Sequence, residues 1–252
     1  MKPPKTSADS LAEASRYRAD FSGHGHALGA AGYRMESDHP ENCVFLNEPG
    51  SSIAVNAGPE GFESLFIGLA WDNVPEPEAG FFQKVLKKVR KQGVDLDLGC
   101  LYELQDGTRG AIQAFGEKFG SLEASPYIAL SGDERTGEAQ GQDEYLTIQG
   151  LHWDKIRRLL VYLYIYEGAP RWSVIKPQII LDVPGEEDLI VTLKAHQDSL
   201  ALCAVGGLEN IRGGIKLTNY TEYFPGHAEM DRAFGFGLEW GEGQKPEKGS
   251  RR

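Results

Sequence analysis

Two groups of acidic residues could supply oxygen ligands to a metal ion. The first is the pair Asp95 and Asp97 in the sequence VDLDL. Two residues of separation along a strand put both side chains on one face, roughly 7 Å apart, while Leu96 and Leu98 point the other way. The alternative is a strand with one solvated face, and this pair alone does not distinguish the two.

The second group lies in residues 131–144, SGDERTGEAQGQDE, which contain five carboxylates and three glycines. Glycines let a loop wrap so that carboxylates and carbonyls converge, as a hard cation with about six to eight oxygen ligands needs. Asp133 and Glu144 have the spacing of the first and twelfth positions of an EF-hand loop. Glu138 occupies the sixth position, where an EF-hand has glycine, so we exclude an EF-hand. A solvated acidic surface loop is the alternative.

The common motifs of enzyme active sites are absent from the sequence: HExxH, GxSxG, the P-loop and GxGxxG do not occur. His152, His196 and His227 have no nucleophile or carboxylate at a spacing that indicates catalysis, so we expect packing roles for them. His24 and His26 could hold a transition metal weakly, but a solvated pair is the simpler interpretation. The sequence therefore predicts binding and not catalysis.

Composition narrows the class of protein further. The chain has 26 Lys and Arg against 37 Asp and Glu, a net charge of −11 that repels a phosphate backbone, so nucleic acid is not an expected ligand. Cys43, Cys100 and Cys203 are far apart and form no CxxC, which predicts reduced, mostly buried thiols. No apolar run approaches the roughly 20 residues that span a bilayer. We expect a cytoplasmic protein.

The elements that position these residues are predicted to be strands. Residues 1–42 and 241–252 are small and polar and are predicted to be disordered tails. Between them, residues 43–240 form one predicted domain of short apolar runs separated by Gly, Pro, Asp and Asn, which is typical of an all-β, mainly antiparallel β-sandwich with one or two short helices. The predicted strands are ESLFIGLAW, VDLDLGCLYEL, YIALS, EYLTIQ, RLLVYLYIYE, VIKPQIIL, DLIVTLKA, LALCAVGG, GIKLTNYTEYF and FGFGLEW. RLLVYLYIYE and DLIVTLKA, which are almost entirely apolar, are expected to form the core.

One segment predicts an amphipathic helix. Residues 81–92, FFQKVLKKVRKQ, place apolar side chains at spacings of three and four, and a weaker helical turn is predicted at 151–158. The apolar side of the helix either packs on the sandwich, or the basic side docks on an anionic membrane or an acidic partner. The basic residues are Lys84, Lys87, Lys88, Arg90 and Lys91.

Four motifs in order resemble the TerD-domain family of bacterial tellurium-resistance and stress proteins. They are GLAWD at 68–72, VDLDL at 94–98, SGDERTGE at 131–138 and IYEG at 165–168. Longer phrases, such as GVDLDLGCLYEL and IRRLLVYLYIYEGAPRW, are most similar to the TerA branch. The resemblance covers roughly residues 50–240, and several motifs in the right order are more specific than any one of them.

This resemblance implies a non-enzymatic, calcium-binding β-sandwich that acts at the inner face of the membrane. Its implied partners are other tellurium-resistance proteins, a membrane protein of the same system, or the anionic membrane itself. The implied metal-binding region contains the family's acidic positions, to which we add Glu138 from the same acidic segment and Asp72 from GLAWD. The full set is Asp72, Asp95, Asp97, Asp133, Glu138, Asp143 and Glu144.

The acidic segment departs from the commoner family pattern, which resembles GDNRTGEGDGDDE. Glu134 replaces an asparagine, and Gln140 and Gln142 replace acids. Fewer anionic ligands predict weaker calcium binding and leave open whether one ion or two bind. A metal-independent scaffold remains the alternative, and an enzyme acting on oxyanions has no support from the residues.

Overall fold

The described part of the chain forms two β-sheets packed face to face, which confirms the predicted fold class. The computed structural model describes residues 43–56, 61–70, 95–131, 144–167, 172–175, 177–183, 186–193 and 197–241. The predicted helix at 81–92 and the predicted tail at 1–42 lie outside these residues. No helix within these ranges is long and apolar enough to cross a bilayer.

The first sheet has seven strands in the described residues. They are β1 (Cys43–Leu46), β3 (Ser64–Ala70), β6 (Gly120–Ser121), β7 (Ile128–Leu130), β8 (Glu144–Gln149), β10 (Gln178–Asp182) and β11 (Asp188–Thr192). Their order across the sheet is β1-β11-β10-β3-β8-β7-β6. All pairs are antiparallel except β1 with β11, which is parallel.

The second sheet has six strands in the described residues, and every pair is antiparallel. They are β2 (Ser52–Val55), β4 (Asp95–Leu104), β5 (Arg109–Ile112), β9 (Ile156–Glu167), β12 (Leu202–Ile211) and β13 (Gly214–Phe224). Their order is β2-β13-β12-β9-β4-β5. The predicted core strand RLLVYLYIYE is β9, which lies inside this sheet, and DLIVTLKA contains β11, whose residues 188–191 are buried.

Alternate residues of the strands fill the space between the sheets. Leu96 and Leu98 of β4 point inward and meet Leu146 and Ile148 of β8 in one apolar cluster. This matches the predicted alternation of β4, because its apolar side faces the core. All three cysteines are buried and free, as expected. Burial raises the pKa of Cys100 to about 12, so this thiol is not reactive near neutral pH.

Short helices complete the described fold. Two are 3-10 helices, η1 (Phe115–Glu117) and η2 (Gly150–Lys155), and two are α-helices, α1 (Trp172–Ile175) and α2 (His227–Phe234). The helical turn predicted at 151–158 therefore exists as η2, but it ends where β9 begins. In α1, Ser173 donates its backbone N–H to the Asp198 carboxylate at 3.0 Å, which satisfies a donor at the helix start.

The predicted strand FGFGLEW, residues 234–240, is wrong. Phe234 is the last residue of α2, and residues 235–240 follow it as irregular chain across the outer face of the second sheet. Gly235 ends the helix in the left-handed conformation, with φ 68°, which glycine adopts without a steric cost. Asp231 then accepts hydrogen bonds from the backbone N–H groups of Gly237 and Leu238, so these donors need no strand partner.

Candidate functional site

The acidic segments emerge at one end of the sandwich, which we call the β4–β8 end. In the second sheet, Asp95 at the start of β4 lies opposite Glu167 at the end of β9. In the first sheet, Glu144 at the start of β8 lies opposite Leu69, near the end of β3. The end of β9, in the second sheet, and the start of β10, in the first sheet, are separated in sequence only by residues 168–177. The start of β10 pairs with the end of β3, so these strand ends of the two sheets lie at the same end of the sandwich.

Asp97 is the predicted ligand whose side chain the structure describes. It is only 2% exposed and lies on the outer face of the second sheet, since its neighbours along β4 point into the core. Its partner across the strands is Tyr164, whose ring lies 5.4 Å from Phe115 and 4.9 Å from His227, measured between ring centroids. A carboxylate so poorly solvated is stable only with ionic, hydrogen-bonding or metal partners.

The other predicted ligands are placed only in part. Asp95 and Glu144 are the first residues of their strands, and their side chains are outside the described part. A register shift between Asp95 and Leu96 interrupts the alternation there, so the prediction that Asp95 and Asp97 share a face stays a prediction. Among the described residues, no group of three or more His, Cys, Asp or Glu could hold a metal ion. Outside the described residues lie Asp72, Asp133, Glu138, Asp143 and the basic residues Lys84, Lys87, Lys88, Arg90 and Lys91.

An aromatic cluster covers the outer face of the second sheet beside Asp97. His227, the first residue of α2, stacks on Trp240 at 4.9 Å and lies 5.2 Å from Tyr162, between ring centroids. Burial lowers the pKa of His227 to about 4, so its imidazole is neutral at pH 7. The structure thus shows the packing role that we expected for this histidine.

A second cluster on the same face centres on a buried glutamate that the sequence analysis missed. Glu103, with a side chain 2% exposed, accepts hydrogen bonds from three arginines. Arg157 donates to Oε1 at 2.7 Å, Arg158 to Oε2 at 2.7 Å and Arg109 to Oε1 at 3.3 Å. Burial alone would raise the pKa of Glu103, but the hydrogen bonds and charges of Arg158 and Arg109 outweigh it and lower the pKa. We call these four residues the arginine cluster.

The arginine cluster also holds the chain that follows α2. Arg158 donates to the carbonyl oxygens of Phe234 and Gly235 at 3.0 and 3.2 Å, and Arg109 donates to that of Phe236 at 3.0 Å. The guanidinium of Arg158 also lies 4.2 Å from the ring centroid of Phe236. The signal in the sequence is the pair of arginines at the start of β9, because two cations in an otherwise apolar strand indicate an anion on a neighbouring strand.

Two further carboxylates lie together on the first sheet. Asp182 and Asp188 are each 5% exposed. Asp182 is the last residue of β10 and Asp188 is the first residue of the antiparallel β11, so they lie beside each other at the same end of the two strands. Burial and the charge of Asp182 raise the pKa of Asp188 to about 7. Asp188 is therefore partly protonated near neutral pH.

Comparison with known proteins adds an independent observation. No family model matches the sequence. A curated relative, the tellurium resistance protein TerA of an Alcaligenes species, is 40% identical over 154 residues, which are 61% of this chain and 45% of the relative. The chain is related to TerA. The resemblance stated from the four motifs is thereby confirmed, and the chain spans a little less than half the length of the relative it matches.

The strand ends next to all four motifs that carry the resemblance of this TerA-related chain lie at the β4–β8 end. GLAWD begins at the end of β3 and VDLDL opens β4. SGDERTGE follows β7, and IYEG contains the end of β9. Strand ends next to motifs up to about 100 residues apart in sequence are therefore brought to one end of the fold, as in a binding site on a sandwich.

Proposed function

We propose that this TerA-related chain contributes to tellurium resistance as a calcium-binding protein without catalytic activity. The observation that supports the proposal is that the strand ends next to all four motifs, two of which are acidic, meet at the β4–β8 end. Carboxylates and loop carbonyls are the ligands that calcium prefers. Asp97, Asp95, Glu144 and the acidic residues of 131–143 would hold the ion, and the ion would supply the positive charge that brings these carboxylates together.

Calcium is expected to bind the metal-stripped protein and to raise its midpoint of thermal unfolding. At a calcium concentration of about 100 times Kd the gain is about 2.7 kcal/mol, or roughly 5–10 °C for a chain of this size. Magnesium should have a much smaller effect, because it dehydrates reluctantly and prefers a tight octahedron. Isothermal titration calorimetry and thermal unfolding measure both effects. No heat and no shift at millimolar calcium would leave the metal-independent scaffold as the function.

Two variants locate the calcium site. Asp97→Asn should weaken calcium binding, whereas Asp154→Asn should not, because Asp154 is exposed on η2 at the opposite end of β9. Both variants remove one negative charge. Without metal, Asp97→Asn is expected to be at least as stable as the wild type, because repulsion between neighbouring carboxylates is relieved. If it unfolds without metal, Asp97 is a structural hydrogen-bond acceptor instead.

The proposal about binding partners is based on the basic residues of 81–92. We propose that residues 81–92 bring the protein to an anionic membrane surface, at the inner face of the membrane, or to another tellurium-resistance protein there. Each Lys or Arg near anionic lipid contributes about 1 kcal/mol. Wild type should therefore cosediment with anionic liposomes at low salt, and a variant with Gln at 84, 87, 88, 90 and 91 should not. Equal binding by the two proteins contradicts this role.

A further inference from the structure

The arginine cluster has more positive charge than its glutamate needs. Arg109 and Arg158 already contact both oxygens of Glu103 and hold the chain after α2. Arg157 adds a third guanidinium to a carboxylate that is already neutralised. Across the sheet, Arg158 lies opposite Glu209, which pairs with Lys216 at 3.5 Å. This group of neighbouring side chains contains four cations and two anions, although the net charge of the chain is −11. The cations are Arg109, Arg157, Arg158 and Lys216, and the anions are Glu103 and Glu209.

A β-bulge places the third arginine. Glu103 pairs with Arg158, but the next residue of β4, Leu104, pairs with Ile156, so Arg157 is the extra residue of β9. In a regular strand Arg157 and Arg158 would point to opposite faces. The bulge instead lets both reach the same carboxylate, and bulges commonly re-aim a side chain in this way.

Arg157 is held in a fixed position with one edge open to solvent. Its Nη1 donates to Glu103 at 2.7 Å, and its side chain is 62% exposed. Nε and Nη2 of Arg157 have no hydrogen-bond or ionic partner in the part of the chain that the structure describes. These two groups donate in parallel, which is the geometry that a carboxylate or phosphate accepts in a two-point contact.

We propose that the open edge of Arg157 is a binding site for a small oxyanion of the phosphate class. Glu103 orients the guanidinium before the ligand arrives, so little side-chain entropy is lost on binding. Arg109, 40% exposed, supplies additional positive charge beside it. Asp154, the nearest acidic residue before Arg157 in sequence, pairs with Lys155 at 3.2 Å and so does not compete strongly for the site. The site is independent of calcium and lies away from the β4–β8 end.

Inorganic phosphate is the probe, titrated against chloride at constant ionic strength while the backbone amide resonances of residues 103, 157 and 158 are followed by NMR in the wild type and in each variant. We expect saturable shifts in the millimolar range and at least fivefold weaker binding by Arg157→Gln. Arg212→Gln, which removes the same charge from the turn after β12, should change the affinity less than twofold. Shifts that do not saturate, or equal affinities for the two variants, would overturn the site.

Two further measurements distinguish the possible causes of a loss of phosphate affinity. Arg157→Lys keeps the positive charge but not the parallel donors, so it should bind phosphate more weakly than the wild type. If its affinity equals that of the wild type, the charge alone attracts phosphate and the two-point contact that we propose is contradicted. Vesicles of phosphatidylglycerol present the same phosphate group on a lipid. Loss of vesicle binding in Arg157→Gln assigns a lipid headgroup to the site, and loss of phosphate binding alone assigns a free anion. Dependence of neither on Arg157 contradicts the proposal.

Discussion

Replacing Glu103 by glutamine is expected to lower the free energy of unfolding by about 3–5 kcal/mol, the range seen when one partner of a buried ion pair is removed. The carboxylate is 2% exposed and is the shared acceptor of three guanidinium groups. Without it, three guanidinium groups lie close together and repel one another with no anion between them. Urea unfolding of the two proteins measures the difference.

The pH dependence of this difference is a second readout. The pKa of Glu103 is lower in the folded protein than its ordinary value of 4.5, so its contribution is present above that pH and is lost as the pH falls below it. The gap between wild type and Glu103→Gln should therefore narrow in acid. Arg157→Gln is the control, and as an exposed partner it should cost less than about 1 kcal/mol. A loss below 1 kcal/mol for Glu103→Gln would show that the carbonyl contacts alone hold the chain after α2.

Replacing Asp231 by alanine is expected to cost about 3 kcal/mol and to detach residues 236–240. The carboxylate of Asp231, in a residue 2% exposed, accepts hydrogen bonds from the backbone N–H groups of Gly237 and Leu238, both at 2.6 Å, and from Nε1 of Trp240 at 2.8 Å. Each bond contributes about 1 kcal/mol, and the donors lose their partner at the same time.

Trp240 reports the local effect of Asp231→Ala. Its indole stacks on His227, so detachment should shift its fluorescence to longer wavelength as the ring becomes solvated. Glu229→Ala is the matched control, because Glu229 is an exposed acidic residue on the same helix. An unchanged spectrum together with unchanged stability would mean that the contacts of the arginine cluster are sufficient to hold this segment.

The parts of the fold that the sequence predicted well have a local signal. The alternating runs EYLTIQ and GIKLTNYTEYF coincide with β8 and β13, because alternation shows directly which residues face the core. The short strands β1 and β2 were missed, since four residues carry little periodicity and their stability comes from distant partners. FGFGLEW was mistaken for a strand because its aromatic residues pack onto the sheet from outside.

The residues of the candidate site were also predictable from the sequence only in part. The four motifs lie next to the ends of β3, β7 and β9 and the start of β4, and the strand pairing brings those ends together. The arginine cluster could not be predicted, because the burial of Glu103 depends on a neighbouring strand and on a bulge at Arg157. A charged residue is expected to be exposed unless its partners are known, and two of the three partners of Glu103 are 54 and 55 residues away in sequence.

The pairing of the first strands with the last ones bears on the order in which the protein can be made. β1 finds its partner in β11, and β2 finds its partner in β13, so each must wait while roughly 140–160 residues are synthesised. At a synthesis rate of about 5–20 residues per second this takes on the order of 10–30 s. During that time β1 and β2 lack their native strand partners and their apolar residues are exposed. A nascent chain of this protein therefore offers an early binding site for a ribosome-associated chaperone.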